Sequence, residues 1–239
     1  MAQETNGIDM RNAEINIGEA MAIQQGVDGF YYNVTNRAGC WGSGTYTAQG
    51  YYEPSNSYMT HNAELIFNYL TDRGWTYNAV MAVLGNFSYE CYINPAQTQI
   101  GYPIGGNKGG YGLAMWTPQT KYRNWAASHN YNVNSGIYQL EYLDTVTSEW
   151  HQKAAYNNMT YDDFRYGNHS VSYLTEAFFD CYEIGTPNAY RQYCAEYYNE
   201  YFQGYTPEPP EPPQPDPYHA TKRKLPLWLL AKRRIMLYK

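Results

Sequence analysis

No stretch of the 239 residues approaches the roughly 20 consecutive apolar side chains that a membrane-spanning helix needs. The opening, MAQETNGIDMRNAEINIGEA, lacks the basic cluster and apolar run of a secretory signal. Neither signal-directed export nor a transmembrane segment is therefore expected. Charge is scarce, at 16% of residues, with 16 Lys and Arg against 22 Asp and Glu. The first 221 residues hold nine basic and 22 acidic side chains, a net −13, which argues against nucleic-acid binding by the main domain. The four cysteines have no CxxC spacing and the five histidines no HExxH, so no metal or cofactor is expected. Cys181 and Cys194 flank a GTPN turn, where a helical hairpin can join them in a disulfide; free buried thiols are the alternative.

What is abundant is tyrosine, 29 residues, whose flat ring and hydrogen-bonding tip suit both core packing and contact with sugar rings. The length predicts one domain with extensions. Residues 1–57, rich in Gly, Ser and Tyr after about Gln25, read as an irregular N-terminal arm. Helix starts then become legible: Thr60 as cap of a helix bearing Ala63, Ile66, Phe67 and Leu70, Thr76 as cap of the next, then Thr117-Pro118, Ser135, Ser170 and Thr186-Pro187. The segment INPAQTQIGYPIGGNKGGYG reads as a Gly-rich hairpin or loop. A mainly α domain over 58–204 is predicted. A Pro-rich linker follows over 205–221, then a basic and apolar tail over 222–239. Trp228, Leu229, Leu230 and Ile235 are its candidate anchors for docking into an assembly, with a membrane-surface peptide as the competing reading.

One residue of the second helix breaks its pattern. Ala79, Val80, Val83, Leu84 and Phe87 form an apolar stripe at three- and four-residue spacings, and Glu90 continues the same stripe. A carboxylate there has to be neutralised, paired or hydrogen-bonded. Apolar surroundings and the negative end of the helix dipole both favour its protonated form, which a general acid needs to protonate a glycosidic oxygen. A structural carboxyl bonded to tyrosine or backbone is the plainer alternative.

The run AVLGNFSYECYINP followed by GGYGLAMWT resembles the phage tail lysozyme family, related to goose-type lysozymes and soluble lytic transglycosylases. The shared residues are Gly85-Asn86, Glu90, Asn94-Pro95, Gly110 to Leu113 and Trp116, and the likeness covers about 58–202. The resemblance implies a mainly α, lysozyme-like α+β fold whose Gly-rich hairpin lines a glycan cleft, with Glu90 as catalytic acid. Substrate contacts are expected from Asn86, Asn94, Tyr111, Gly112 and Trp116, with orienting the acid or holding the loop by Asx turns as the alternative for the two Asn, and packing beneath the Gly-rich loop for Tyr111 and Trp116. The resemblance also implies a muramidase carried at a phage tail tip or knob to cut peptidoglycan on entry. Residues 1–57 and 222–239 would then attach to other tail proteins. Two positions depart from the family, Cys91 where Ser is usual and Met115 where Gln commonly precedes the Trp.

A paired-carboxylate glycosidase wants a second acid about 5–10 Å from the first, and none occurs between Cys91 and Leu140. Glu141, Asp144 and Glu149 are candidates whose spacing also fits a solvated helix face. Single-acid chemistry is expected, completed by a residue of the later helices or arm or by the substrate's own N-acetyl group. The rivals are a non-catalytic tail-tip or glycan-binding protein on the same scaffold and a Cys-dependent peptidoglycan peptidase.

Overall fold

The computed structural model describes residues 23–34, 40–41, 46–185 and 187–204. The linker, the basic tail and much of the N-terminal arm lie outside the described residues, and so does Thr186. Seven α-helices, two short 3-10 helices, one π-helical turn and one two-stranded sheet make up the regular structure of the described residues. Strands β1 (Ile23–Gln25) and β2 (Tyr31–Asn33) pair antiparallel, Ile23 opposite Asn33 and Gln25 opposite Tyr31.

Helix α1 (Ser57–Thr71) starts one turn earlier than the Thr60 cap predicts. Asn56 takes the cap, accepting from the amides of Tyr58 and Met59, while the Thr60 hydroxyl donates to the Pro54 carbonyl at 3.2 Å. Asn serves at least as well as Thr there, because its side-chain oxygen reaches the same free amides. Helix α2 (Tyr77–Cys91) does use the Thr76 cap and ends on Tyr92 in the left-handed region. Helix α3 (Thr120–Ser128) begins after Gln119, two residues beyond the expected Pro118. The Gln119 amide instead donates to the carbonyls of Pro103 and Lys108 and pins the Gly-rich loop.

Helices α4 (Gly136–Thr145) and α6 (Val171–Phe178) take the Ser135 and Ser170 caps, and the short α5 (Tyr161–Tyr166) has a Thr160/Asp163 capping box. Helix α6 widens into a π-helical turn over Phe179–Glu183. Helix α7 (Ala189–Gln203) is capped by Asn188. All four cysteines are free and buried, so the Cys181–Cys194 disulfide is not formed.

The apolar stripe expected on α2 understates its position. Every residue from Ala79 to Ser88 is buried, because α7, α6 and α1 pack around it. A helix enclosed on all sides cannot carry the charged outer face that an amphipathic surface helix shows. Gly85 makes the tightest of these approaches possible: a Cβ there would meet the Arg191 carbonyl at 2.5 Å and Ala195 Cβ at 2.7 Å.

The segment before α1 shares this core. Phe30, Trp41 and Tyr52 are fully buried. The Trp41 indole donates to the Tyr92 carbonyl at 2.8 Å, and the Asn62 amide ties Tyr31 to Ile93. Burial of a large apolar side chain contributes about 1.5–3 kcal/mol, so three of them weigh heavily against a net domain stability of about 5–15 kcal/mol. A fragment of residues 58–204 is therefore expected to lose cooperative thermal unfolding, followed by circular dichroism, that a fragment of residues 23–204 keeps. Equal, cooperative melts for the two fragments would show that the arm is dispensable to the core.

Candidate active site

The last turn of α2 opens onto a cleft of about 290 Å³ lined by Tyr89, Glu90, Cys91, Tyr92, Gln97, Gln99, Ile100 and Met115. Glu90 is the one carboxylate among these residues. Its side chain is 18% exposed, and behind it stands a buried cation, Arg191 of α7, at 3%. The guanidinium donates through Nη2 to Glu90 Oε1 and through Nη1 to Glu183 Oε2 and, at 2.8 Å, to Asn86 Oδ1. Its flat face lies 4.3 Å from the Tyr89 ring centroid and 4.8 Å from that of Phe179.

Each part of this cluster has a local cause. Asn86 sits one turn before Glu90 and spends its amide hydrogens on the carbonyls of Ala82 and Thr175, at 2.9 and 3.0 Å, which leaves its oxygen aimed at Arg191. Gly85 lets the α7 backbone at Arg191 lie against α2. The π-helical turn after α6 ends on Glu183, whose side chain is 2% exposed. Burial holds the Glu183 carboxyl well above the usual carboxylate range, and the negative charge of Glu90 adds to the effect. Guanidinium and two carboxyls therefore reach neutrality with one proton among them.

The Gly-rich segment forms the other wall. Thr98 and Tyr111 make an antiparallel bridge, with Gln99 N donating to Gly110 O and Gly112 N to Gln97 O, both at 2.9 Å. Gly112 has φ 81°, and a Cβ there would strike Gln139 Oε1 at 2.5 Å. Gln139 in turn accepts from Leu113 N and donates to Pro95 O and Val133 O.

The other sequence-predicted substrate residues face inward. Asn94 is buried, its carboxamide exchanging hydrogen bonds with the Asn33 backbone. Tyr111 is 1% exposed and donates to Val133 O at 3.2 Å. Trp116 is buried, stacks on Tyr122 and donates to the Tyr182 hydroxyl at 3.0 Å. Of the residues expected from the sequence, Glu90 and Asn86 meet at Arg191, while Asn94, Gly112, Tyr111 and Trp116 hold the walls.

The candidate second carboxylates are engaged elsewhere. Asp144 accepts from the Trp75 indole and from Arg165, Glu149 pairs with Lys121 at 2.7 Å, and Glu141 accepts from the Tyr131 hydroxyl. The acid that meets Glu90 is Glu183. Glu183 and Arg191 are eight positions apart across the GTPN turn and about a hundred from Glu90, so no local spacing links them. Their one signal in the sequence is charge next to aromatic residues in a charge-poor chain.

Cys91 is buried, its thiol within 3.3 Å of the carbonyls of Phe87 and Leu113, and burial pushes it well above the ordinary thiol range. A larger depression of about 520 Å³, lined by Trp150, His151, Thr160, Tyr161 and Asp162 among others, lies apart from these groups; its one carboxylate, Asp162, is already paired with Arg165. Among the described residues no three His, Cys, Asp or Glu side chains stand together as metal ligands.

The family model for phage tail lysozymes matches residues 61–202. Morphogenesis protein 1 of Bacillus phage B103 is 38% identical over 125 residues, which is 52% of this chain and 34% of the relative. The chain thus spans about a third of that relative's length.

Arg191→Met would leave two facing carboxyls without their counter-charge. Removing one partner of a buried ion pair costs about 3–5 kcal/mol, to be read by urea unfolding. A buried carboxyl that binds its proton more tightly than in the unfolded chain loses stability as pH rises above the ordinary value of 4.5, since only the unfolded state then releases the proton. The deficit of Arg191→Met is therefore expected to grow between about pH 4 and pH 8. A deficit independent of pH would show that the guanidinium contributes packing alone.

Proposed function

Since the chain belongs to the phage tail lysozyme family, we propose that it cleaves the glycan strands of bacterial peptidoglycan as a virion-associated muramidase or lytic transglycosylase, with Glu90 as the general acid. The observation that carries this reading is the position of Glu90, the one carboxylate lining the cleft between the end of α2 and the Gly-rich hairpin. A glycosidic bond breaks when its bridging oxygen is protonated as positive charge develops on the sugar ring. Glu90 delivers that proton from the cleft wall. No second carboxylate lines the cleft to act as nucleophile, so water, a sugar hydroxyl or the substrate's N-acetyl oxygen meets the developing cation.

The exposed Gln99 offers its amide to sugar hydroxyls, and Tyr89 and Tyr92 offer ring surface. The morphogenesis name of the phage B103 relative supports a place in the particle. The proposed position is the tail tip or knob, with 222–239 and 1–57, apart from core residues such as Phe30, Trp41 and Tyr52, as the attachment segments to other tail proteins. The rival reading is a non-catalytic tail-tip or glycan-binding protein on this scaffold. It draws on the Arg191 contact, which engages one oxygen of Glu90 in an ion pair. A Cys-dependent peptidase is disfavoured by the buried thiol of Cys91.

Glu90→Gln keeps the size and hydrogen-bonding capacity of the side chain and deletes its proton. Turnover of purified peptidoglycan is expected to fall on the order of 10²- to 10⁴-fold with the circular dichroism spectrum unchanged. Mass spectrometry of the wild-type products separates hydrolysis, which leaves reducing ends, from transglycosylation, which leaves anhydro ends. A folded Glu90→Gln protein with full activity would overturn the assignment, and a wild-type protein that binds walls without cutting them would favour the rival.

A further inference from the structure

We propose that Glu90 and Glu183 hold a single proton between them beside Arg191, and that Glu183 is a positioning residue that keeps this proton available to the cleft. The assignment of Glu90 as general acid in the proposed function is the premise of its catalytic use; the sharing itself stands on the geometry. Glu183 is shut off from water, its Oε2 accepts from Arg191, and its Oε1 is buried with no donor. One guanidinium holds the two carboxyls side by side, Glu183 Oε2 on Nη1 and Glu90 Oε1 on Nη2 of Arg191. Two carboxylate oxygens cannot bond as acceptors alone, whereas one proton on Glu183 Oε1 turns the orphan atom into a donor toward Glu90.

The groups around the pair leave this as the proton's natural place. Arg191 faces it from α7, Tyr89 and Cys91 flank Glu90 on α2, and Tyr182 precedes Glu183 in the π-helical turn. Arg191 is the one cation among them and is already shared by both carboxyls. Burial pushes Cys91 and Tyr182 upward, away from the neutral range.

The arrangement lets a carboxyl that touches a guanidinium still act as an acid. With the cleft open, the proton rests on Glu183 and Glu90 is the ion, since Glu90 keeps an exposed edge that water can solvate. A glycan seated in the cleft covers that edge, which disfavours charge on Glu90. The proton then passes to Glu90 while Glu183 takes the negative charge against Arg191. In the acid step the O–H bond of Glu90 breaks, a new O–H bond forms on the bridging oxygen, and the electron pair of the glycosidic C–O bond leaves with that oxygen. Both carboxyls are then ionised, and a proton from water restores the pair when the cleft opens.

The full-length chain labelled with 13C at glutamate carboxyls tests this by NMR between about pH 3 and pH 9, in wild type and Glu90→Gln. Coupled sites titrate in two macroscopic steps, so the wild-type Glu183 and Glu90 signals are expected to move together in both. In Glu90→Gln the Glu183 signal is expected to titrate once, about one pH unit lower or more. Glu183→Gln keeps an acceptor for Arg191 and cannot exchange a proton, so the guanidinium acts on Glu90 alone. The alkaline limb of its pH–rate profile is expected about one pH unit lower or more, a shift that loss of a structural contact would not produce. Identical Glu183 titrations with and without Glu90 would overturn the shared proton whatever the activity data say. Coupled titration together with full activity in Glu90→Gln would instead overturn the general acid and leave the shared proton standing. The comparison of wild type with Glu90→Gln decides the matter even if Glu183→Gln fails to fold.

Discussion

A guanidinium buried between helices needs its charge met by acceptors, and Arg191 imposes that requirement on α2, α6 and α7 together, through both of its terminal nitrogens. Asn86 and Glu90 answer it from α2, Glu183 from the turn that ends α6, and Tyr89 and Phe179 close over its faces. The charge is acceptable at this depth only because all its partners arrive at once, since an ion pair missing one partner costs more than it contributes. That condition explains features which look unrelated in isolation. Gly85 admits the α7 backbone, the π-helical turn ends where Glu183 is needed, and Asn86 uses both amide hydrogens to present a fixed oxygen.

The same cluster places Glu90 where chemistry can use it. A lone carboxylate at the end of an apolar helix would either retreat into solvent or remain permanently protonated. Here it is anchored by Arg191 on one side and open to the cleft on the other. The cleft wall opposite is equally constrained. The Gly-rich hairpin reaches its position by passing over Gln139, which only a residue without a Cβ can do at Gly112, and by the packing of Tyr111 and Trp116 against Tyr122. These rings serve the shape of the cleft from behind it. Much of the exceptional tyrosine content has this character, with Tyr52, Tyr111, Tyr122 and Tyr198 among the largest fully buried side chains.

Glu90 was visible in the sequence because helical periodicity is a local property: it continues the stripe of Val83 and Phe87, and a carboxylate on such a stripe stands out. The caps at Thr76, Ser135 and Ser170 were visible for the same reason, since a cap bonds to amides only two or three residues away. Where two cap residues compete, as Asn56 and Thr60 do, the preceding turn decides between them. The burial of α2 on every side, the inclusion of Phe30 and Trp41 in the core, and the inward rotation of Tyr111 and Trp116 were not legible. Each depends on which segments arrive from far along the chain.

The sequence by itself determined the helical character of the domain and the position of one anomalous acid, which rest on spacings of a few residues, and the family to which it belongs, which rests on two short motifs close together in the chain. Only the tertiary structure decided what surrounds that acid. Its counter-charge and its partner carboxyl come from about a hundred positions away, brought in by helix packing, and Coulomb and hydrogen-bond energies depend on distance in space and not on distance along the chain.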